Sequence, residues 1–295
     1  MKILVTGGTG FVGPKIVHAL RAEKRDVRVL ARRPERAARA ASWGAEVVEG
    51  DVTDPESLKS AIDGCTHVVH LVAIIKGGRQ DFHRVMTEGT ENLVAAAKLA
   101  GLQRFLLMSA LGTSPEAAAA VPYFAAKLAM EETVRASGLE HTIFRPSFVF
   151  GTDGGTLGTF IRQVRLSPVV TVIGPGTQRS QPIWVEDVAA YFARAIEDPA
   201  AANRLFELGG PDTVDWNGLY LTIARVLGKR RRLLHVPFGV ARAGAVLTQW
   251  IPGAPLTADQ VAMLQGADNV VSNPDAVDTF HLPLVSLEDQ IRRAA

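Results

Sequence analysis

The chain has 295 residues, of which 47% are hydrophobic and 21% charged, and its formal net charge is +2. This composition excludes a disordered chain and allows a large buried core, while the small basic excess argues against a dedicated nucleic-acid-binding protein. Cys65 is the single cysteine, so no disulfide can form within the chain. We expect a soluble, cytoplasmic protein, because Met1-Lys2 leads into an apolar strand rather than a secretory signal and no apolar run reaches the roughly 18 residues of a membrane span.

The first half of the chain alternates short apolar segments with helical patterns. The predicted strands are Lys2–Thr6, Val27–Ala31, Ala45–Glu49, His67–Val72, Arg104–Met108 and His141–Arg145. The predicted helices are Gly13–Lys24, Pro34–Trp43, Pro55–Asp63 with Asp54 as its cap, about Asp81–Ala100, and Tyr123–Ser137. Apolar strands separated by crossover helices indicate a parallel sheet covered on both faces. We therefore predict an α/β protein whose residues 1–150 form a dinucleotide-binding domain with a Rossmann-type doubly wound parallel sheet.

The pattern changes after Gly151, where Gly and Pro become denser. Predicted strands at Val169–Ile173 and Leu205–Leu208 and predicted helices at Val185–Glu197, Trp216–Leu227, Gly239–Trp250 and Thr257–Gln265 follow. We expect residues 151–295 to form mainly a smaller C-terminal substrate lobe, with segments near 175–200 returning to the first domain. The Ala117–Ala120 run is interpreted as a short connector. The apolar stretches Ala243–Ile251 and Pro255–Leu264 fit a packed helical lobe, a hydrophobic substrate pocket or a membrane-docking surface.

A glycine-rich segment directly follows the first predicted strand and opens the first predicted helix. It runs Thr6-Gly7-Gly8-Thr9-Gly10-Phe11-Val12-Gly13, in which Gly8, Gly10 and Gly13 match the dinucleotide-binding pattern G-x-G-x-x-G. Such glycines allow a tight turn and close approach of the pyrophosphate to the backbone, and the helix N-terminus offers free amides to the phosphates. The segment predicts a dinucleotide site that includes Gly7, Thr9, Gly10, Phe11, Val12 and Gly13.

The ends of the second and third strands carry the residues expected to meet the adenosine. NAD-binding proteins usually have a carboxylate about twenty residues after the glycines, but here the second strand ends in Arg32 and Arg33. Two guanidinium groups suit a 2′-phosphate, so NADP is favoured over NAD, although the pair also fits a solvated loop. Asp51 and Val52 are expected beside the adenine, and the alternative for Asp51 is a cap of the following turn.

Seven segments, in this order along the chain, resemble the extended and atypical short-chain dehydrogenase/reductase family, an NAD-dependent epimerase/dehydratase-like group of proteins. They are Thr6–Gly13, Gly50–Val52, Val69–Ala73, Met108–Ala110, Tyr123–Lys127, Arg145–Gly151 and Gln181–Ala189. Within the family, Gly13–Lys15 and the stretch from Ser137 to Pro146 are most similar to the group of the NADPH-binding accessory subunit of respiratory complex I. The resemblance implies a dinucleotide cofactor.

The resemblance also implies roles for individual residues. Tyr123 and Lys127 match the Tyr-x-x-x-Lys pair, in which the tyrosine is the general acid/base and the lysine binds ribose and lowers the tyrosine pKa. The spacing agrees, because residues four apart share one face of a helix and a nearby cation favours phenolate. Ser109, at the end of the fifth strand, is the third expected catalytic residue. The expected cofactor contacts further include Lys127, Leu71, Ala73, Pro146 and Phe148.

Two departures from the family pattern weaken the catalytic prediction. Family enzymes usually have two or three Ser or Thr at the end of the fifth strand, whereas Ser109 is followed by Ala110 and Leu111. Met86 stands three residues before Gly89-Thr90, where the family commonly has Asn. We expect dinucleotide binding to survive both changes and leave turnover open.

Three functions follow from these patterns. The favoured one is an NADP(H)-dependent oxidoreductase acting on a small or hydrophobic carbonyl or alcohol. The alternatives are a non-turnover NADPH-holding subunit, or assembly or quinone-pathway factor, with association to a membrane complex or quinone, and a sugar-nucleotide epimerase or dehydratase. The seven histidines show no ligand spacing, so no metal site is predicted. The substrate, the oligomeric state and the residence of the cofactor stay open.

Overall fold

The computed structural model describes residues 1–248, 258–266 and 268–295. Its strands are β1 (Lys2–Thr6), β2 (Asp26–Ala31), β3 (Glu46–Glu49), β4 (His67–His70), β5 (Arg104–Met108), β6 (Glu140–Pro146), β7 (Val149–Phe150), β8 (Val169–Ile173), β9 (Arg179–Ser180), β10 (Ile183–Trp184), β11 (Arg204–Leu208), β12 (Val214–Asp215) and β13 (Arg232–Val236).

Its α-helices are α1 (Gly13–Ala22), α2 (Ala38–Ser42), α3 (Pro55–Ile62), α4 (Arg79–Phe82), α5 (Gly89–Leu99), α6 (Pro115–Ala120), α7 (Pro122–Ala136), α8 (Leu157–Leu166), α9 (Val185–Ala195), α10 (Trp216–Val226), α11 (Phe238–Thr248), α12 (Ala258–Gln265), α13 (Asp275–Phe280) and α14 (Leu287–Ala294). Pro34–Ala37 and Pro199–Ala201 are 3₁₀ turns, and His83–Glu88 is a π-helical segment.

The central sheet of the described residues has seven parallel strands in the order β11-β6-β5-β4-β1-β2-β3. Ile3 of β1 pairs with Val27 of β2 on one side and with His67 of β4 on the other. The winding direction therefore reverses between β3 and β4, which places a crevice at the carboxyl ends of β1 and β4. The predicted doubly wound, Rossmann-type α/β sheet is confirmed.

Apolar side chains cover both faces of this sheet. Ile3 and Val5 face the core that α1 and α9 complete, whereas Leu4 faces the core that α3, α5 and α7 complete. All three residues are fully buried. Burial on both faces explains why the strands are continuous apolar runs in the sequence.

A third core holds the C-terminal lobe together. β8 and β13 form a separate parallel pair, with Val170 opposite Leu233, and α8, α10 and α14 pack around it. Short pairs of β7 with β10 and of β9 with β12 lie between this lobe and the central sheet.

The return of the chain to the central sheet extends beyond the predicted segment 175–200. β11 pairs with β6 over its whole length, from Arg204 opposite Thr142 to Leu208 opposite Pro146, and forms the edge of the sheet. α9 packs on α1, and α13 packs on β11. The predicted strand Leu205–Leu208 therefore belongs to the central sheet.

Two predicted helices differ in type from the observed elements. The predicted helix Asp81–Ala100 contains the π-helical segment, whose wider turn keeps Phe82, Met86 and Thr90 on the buried face. Gly89 then approaches the segment that follows β3, and a Cβ at that position would lie 2.7 Å from Cγ2 of Val52. The predicted helix Pro34–Trp43 begins as a 3₁₀ turn before α2.

Two of the observed helices, α6 and α8, were not predicted from the sequence. The interpretation of Ala117–Ala120 as a connector was wrong, because these residues form α6, in which Ser114 Oγ accepts from the Ala117 amide at 3.2 Å. That cap satisfies an amide of the first turn, and alanine has the highest helix propensity. The glycine-rich stretch after Gly151 likewise leads into α8, whose Leu157, Ile161 and Val164 are buried.

The last predicted helices lie partly outside the described residues. Trp250 and Thr257 fall there, whereas α11 and α12 account for the remainder of those two predictions. Among the described residues, no helix combines the length and the apolar character needed to cross a bilayer.

Candidate active site

The segment between β1 and α1 forms a tight glycine turn at the carboxyl end of β1. Gly7 has a φ of +74°, which favours glycine, and a Cβ there would lie 2.8 Å from the carbonyl carbon of Leu71. A Cβ at Gly13 would collide with the carbonyl oxygen of Gly7. Both glycines are therefore required for α1 and β4 to approach the turn.

The same turn presents backbone amides to the crevice. Thr9 and Gly10 are exposed at its tip. The amides of Phe11, Val12 and Gly13 have no protein acceptor in the part of the chain that the structure describes. They lie at the N-terminus of α1, where free amides and the helix dipole favour an anion. The turn thus fits the pyrophosphate of a dinucleotide, and Val12, whose side chain is buried, contributes its amide.

Phe11 joins the glycine turn to the loop after β7. A Cβ at Gly154 would lie 2.6 Å from Cδ2 of Phe11, and one at Gly155 would lie 3.0 Å from Cε1 of the same ring. Asp153 of this loop also forms an ion pair with Lys15 of α1 at 3.5 Å. The loop that starts the C-terminal half therefore packs directly on the phosphate-binding turn.

The predicted adenosine-binding residues lie at the ends of β2 and β3. Arg33 is exposed, and the Arg32 side chain is 72% exposed with Nε 3.9 Å from the Asp51 carboxylate. Asp51 accepts from the Thr53 amide at 2.9 Å, as in the alternative in which it caps the turn. The Val52 side chain is buried. Both guanidinium groups are thus placed where a ligand could reach them.

Tyr123 and Lys127 lie one turn apart on the same face of α7. The Lys127 side chain is buried, and its Nζ donates to the Met108 carbonyl, at the carboxyl end of β5, at 2.7 Å. The same Nζ lies 5.9 Å from the centroid of the Tyr123 ring. Burial lowers the pKa of Lys127 to about 7, although the charge of Glu131 opposes this shift. The structure therefore brings the predicted pair together.

An apolar mouth, defined here as Ile74, Phe82 and Phe124, lies at the Tyr123 ring, with Phe82 buried and the other two side chains partly exposed. The Tyr123 ring centroid lies 6.3 Å from that of Phe82 and 5.5 Å from that of Phe124, in both cases edge to face. Ile74 packs on the same core cluster. Tyr123 is partly exposed as a whole, but burial of its phenol raises the pKa of Tyr123 to about 12. The phenol is therefore protonated at neutral pH, and the expected lowering of its pKa by Lys127 is not found in this structure.

The other predicted site residues divide into buried and accessible ones. Ser109 is 2% exposed, and its Oγ lies close to the Glu131 carboxylate, whose pKa it helps to lower. Leu71 and Pro146 are buried, Ala73 is exposed, and Phe148 is partly exposed against Trp216 at 5.3 Å between ring centroids. The Ser109 hydroxyl thus lies in the protein interior and not in the apolar mouth.

His70, at the end of β4, is a buried group that the sequence analysis did not assign. Thr90 Oγ1 donates to the Met86 carbonyl at 2.5 Å, so it accepts from His70 Nε2 at 3.0 Å. His70 Nδ1 then accepts from Thr6 Oγ1 at 2.6 Å. Burial, together with the charge of Lys127, lowers the pKa of His70 to about 3. The imidazole is therefore neutral, with its proton on Nε2.

Glu131 is a second buried group that the sequence analysis missed. It lies on α7 one turn beyond Lys127 and is 0% exposed. Its carboxylate accepts from Nε and Nη2 of Arg145, both at 2.7 Å, and from Nη2 of Arg135 at 2.7 Å. Burial is the largest single influence and opposes ionisation, but the hydrogen bonds from Arg145, Ser109 and Arg135, together with the charge of Arg145, outweigh it and lower the pKa of Glu131. The spacing of residues 123, 127 and 131 could have indicated this shared face.

The C-terminal segment borders the site at the ends of β5 and β6. Ser147 Oγ donates to Oδ1 of Asn269 at 2.6 Å, and Asn269 Nδ2 donates to the Leu111 carbonyl at 3.4 Å. Asp268 pairs with Arg179 at 2.8 Å. Within the described ranges, no three His, Cys, Asp or Glu side chains are placed to hold a metal ion.

A glycine turn at the switch point of a doubly wound parallel sheet defines a dinucleotide-binding protein. Residues 7–199 match the model of a family described as NAD(P)H-binding. The chain belongs to this NAD(P)H-binding family.

Named relatives of the chain have different functions. It is 34% identical to a ceramide reductase of Caulobacter vibrioides over 253 residues, 84% of this chain and 78% of that protein. It is 28% identical to the photosystem II assembly factor Ycf39 of Cyanophora paradoxa, over 85% of this chain and 77% of that one. It is 29% identical to the mitochondrial NADH dehydrogenase [ubiquinone] 1 alpha subcomplex subunit 9 of Arabidopsis thaliana, over 82% of this chain and 61% of that one.

Solved structures share the fold. An NADPH-dependent quinone oxidoreductase of Escherichia coli, in complex with NADPH, has a TM-score of 0.80 at 19% identity and covers 98% of both chains. The triphenylmethane reductase of a Citrobacter species, in complex with NADP(H), has a TM-score of 0.80 at 20% identity and covers 100% of both chains.

Proposed function

We propose that this protein is an NADPH-dependent oxidoreductase that reduces a carbonyl group of an apolar molecule or oxidises the corresponding alcohol. The observation that carries the proposal is the placement of Tyr123 and Lys127 side by side on α7. The Tyr123 ring borders the apolar mouth, and the Lys127 ammonium is buried behind it at the end of β5. A dinucleotide bound at the glycine turn would extend across the crevice towards this pair.

The chemistry requires a hydride for the carbonyl carbon and a proton for the carbonyl oxygen. A reduced nicotinamide supplies the hydride when it is bound. Tyr123 donates the proton, since its pKa of about 12 keeps the phenol protonated before the reaction. The Lys127 ammonium stabilises the resulting phenolate and can donate to ribose hydroxyls in place of the Met108 carbonyl.

The surroundings of Tyr123 support an apolar substrate. The apolar mouth consists of one aliphatic and two aromatic side chains, and Phe148 and Trp216 present partly exposed rings on the lobe side. Apolar and aromatic linings are typical of small-molecule sites, in which a few polar groups set the orientation. A relative named ceramide reductase agrees with this class of substrate.

The test of the activity is a carbonyl-reduction screen with a matched pair of variants. Tyr123→Phe removes the proton donor and is expected to lower kcat about 10²–10⁴-fold while the NADPH dissociation constant stays within about twofold. Tyr220→Phe makes the same change at a buried tyrosine of the lobe core and should leave kcat unchanged. Full activity of Tyr123→Phe would overturn the proposed chemistry.

The cofactor preference rests on Arg32 and Arg33 at the end of β2. Replacement of both by Ala is expected to weaken NADPH binding at least about tenfold and to leave NADH binding unchanged, because only NADPH carries the 2′-phosphate. Arg230→Ala, at an exposed arginine of the lobe, is the charge control. Fluorescence titration measures both cofactors, and tighter binding of NADH by the unaltered protein would contradict the preference.

A second function is favoured by α11 and the segment before it. Val240, Val246 and Leu247 are exposed on this helix, and the basic run Lys229–Arg232 precedes it in the chain. A helix with exposed apolar residues that follows a basic segment favours an anionic bilayer surface. In this alternative, the protein holds NADPH without turnover while docked on a membrane. Co-sedimentation with anionic vesicles that Leu247→Glu abolishes would support it, and no recovery with vesicles would exclude it.

A further inference from the structure

We propose that Glu131 is a positioning residue that keeps Lys127 charged at the ribose end of the site and thereby sets the pH range in which the dinucleotide binds. The inference rests on the proposed use of Lys127 as a cofactor-binding residue. It does not require that the protein turns over a substrate.

The geometry places the two opposite charges on one buried face. Lys127 and Glu131 are four residues apart on α7, a spacing at which Cβ atoms lie about 5–6 Å apart. Their exposed fractions are 1% and 0%. The hydrogen-bond acceptor of Lys127 Nζ is the Met108 carbonyl, which is neutral. Because that bond supplies no counter-charge, the negative charge that favours the ammonium comes from Glu131.

Glu131 is held as a permanent anion at this position. Arg145 donates to both oxygens of the Glu131 carboxylate, and Arg135 donates to Oε2 as well. Burying an ion pair costs desolvation free energy, which offsets much of the attraction between the two charges. A protein in which well-packed apolar residues of similar size replace the pair is therefore often equally stable. A gain in stability is therefore a weak explanation of the pair, and the effect on the neighbouring ammonium supplies a second one.

The other groups that face Lys127 do not supply this charge. On its own helix Tyr123 is neutral and Glu132 is exposed, β4 contributes the neutral His70, and β6 contributes Arg145, which is a cation and cannot supply a negative charge. The charged or titratable residues of α4, the π-helical segment, α5 and α6, which pack near α7, are exposed: Arg79, Asp81, His83, Arg84, Glu88, Glu91, Lys98 and Glu116. Arg104 of β5 lies at the opposite end of its strand.

Two substitutions with opposite electrostatic effects test the proposal. Glu131→Gln removes the anion and is expected to move the pH midpoint of NADPH binding down by about one unit or more, from the Coulomb energy of two charges at this separation. Arg135→Gln removes a cation that shields the anion and should move the same midpoint up. Arg135 has a 41% exposed side chain, so its replacement leaves the fold intact.

The measurement is the NADPH dissociation constant between pH 5.5 and 9 for the whole chain, by fluorescence titration, with thermal unfolding as a check of folding. The 2′-phosphate of NADPH titrates in the same way with the unaltered protein and with each variant. The result is therefore the difference in pH midpoint between each variant and the unaltered protein. Lys127→Met should remove the midpoint that the two variants move. A purely structural Glu131 would give midpoints equal to that of the unaltered protein, and this result overturns the inference. If Glu131→Gln does not fold, an unchanged pH midpoint of Arg135→Gln is by itself enough to overturn the inference. Failure of the unaltered protein to bind NADPH at any pH would instead overturn the proposed function.

Discussion

Acidification should destabilise this protein through His70. The imidazole has a pKa of about 3 in the folded protein and an ordinary value of 6.5 when unfolded. Between these values the unfolded state binds the additional proton, so the stabilising contribution is complete above pH 6.5 and is lost as the pH falls towards 3. Each pH unit in that window costs about 1.4 kcal/mol, which gives about 2–3 kcal/mol between pH 6.5 and 4.5.

The assay is denaturant unfolding of the unaltered protein and of His70→Asn between pH 7.5 and 4.5. Asn cannot titrate, yet its amide can still accept from Thr6 and donate towards Thr90. The stability advantage of the unaltered protein should therefore shrink by about 2–3 kcal/mol across the acid range. His281→Asn is the control, because His281 is exposed and has a φ of +49° that Asn tolerates. If the unfolding free energies of the unaltered protein and of His70→Asn change in parallel with pH, the prediction that His70 is a buried, neutral imidazole is refuted.

Three further predictions concern the glycine turn, for which a glycine of α8 is the control, and α6. Gly13→Ala should abolish dinucleotide binding, since its Cβ would meet the Gly7 carbonyl, whereas Gly158→Ala, with open space around it, should raise the unfolding free energy by up to about 1 kcal/mol. Phe11→Ala empties the space beside the 151–155 loop and should weaken NADPH binding in calorimetric titration, and unchanged affinity would show that this loop does not support the turn. Ser114→Ala should lower the unfolding free energy by about 1 kcal/mol in denaturant titration, and an unchanged value would contradict the cap of α6.

The fold could be predicted because its signals are local in the sequence. The apolar runs of β1 to β6 and the glycines that follow β1 each need only neighbouring residues to be recognised, and the Tyr123–Lys127 spacing defines a helix face. The helix α6 also had a local signal that the interpretation as a connector ignored, namely Ser114 followed by Pro115.

The remaining features depend on contacts between distant segments. A π-helical turn at residues 83–88 differs from an α-helix in that each hydrogen bond spans five residues instead of four. The apolar pattern fits both until Gly89 is seen against Val52. The place of β11 beside β6 is set by tertiary pairing. The neutral state of His70 follows from Thr6 and Thr90, whose hydroxyls reach it from other elements.

The edge strand of the central sheet is synthesised well after its neighbour. β6 is complete at Pro146, but β11 begins at Arg204, after α8, β8 and α9. At about 5–20 residues per second, the open edge of β6 persists for several seconds on the ribosome. The ring of Phe144 contacts Phe192, Phe206 and Phe280, all of which emerge later. We therefore expect the nascent chain to expose an aromatic, unpaired strand edge, which is a target for chaperones and a site of aggregation, until residue 208 and the helices after it have been made.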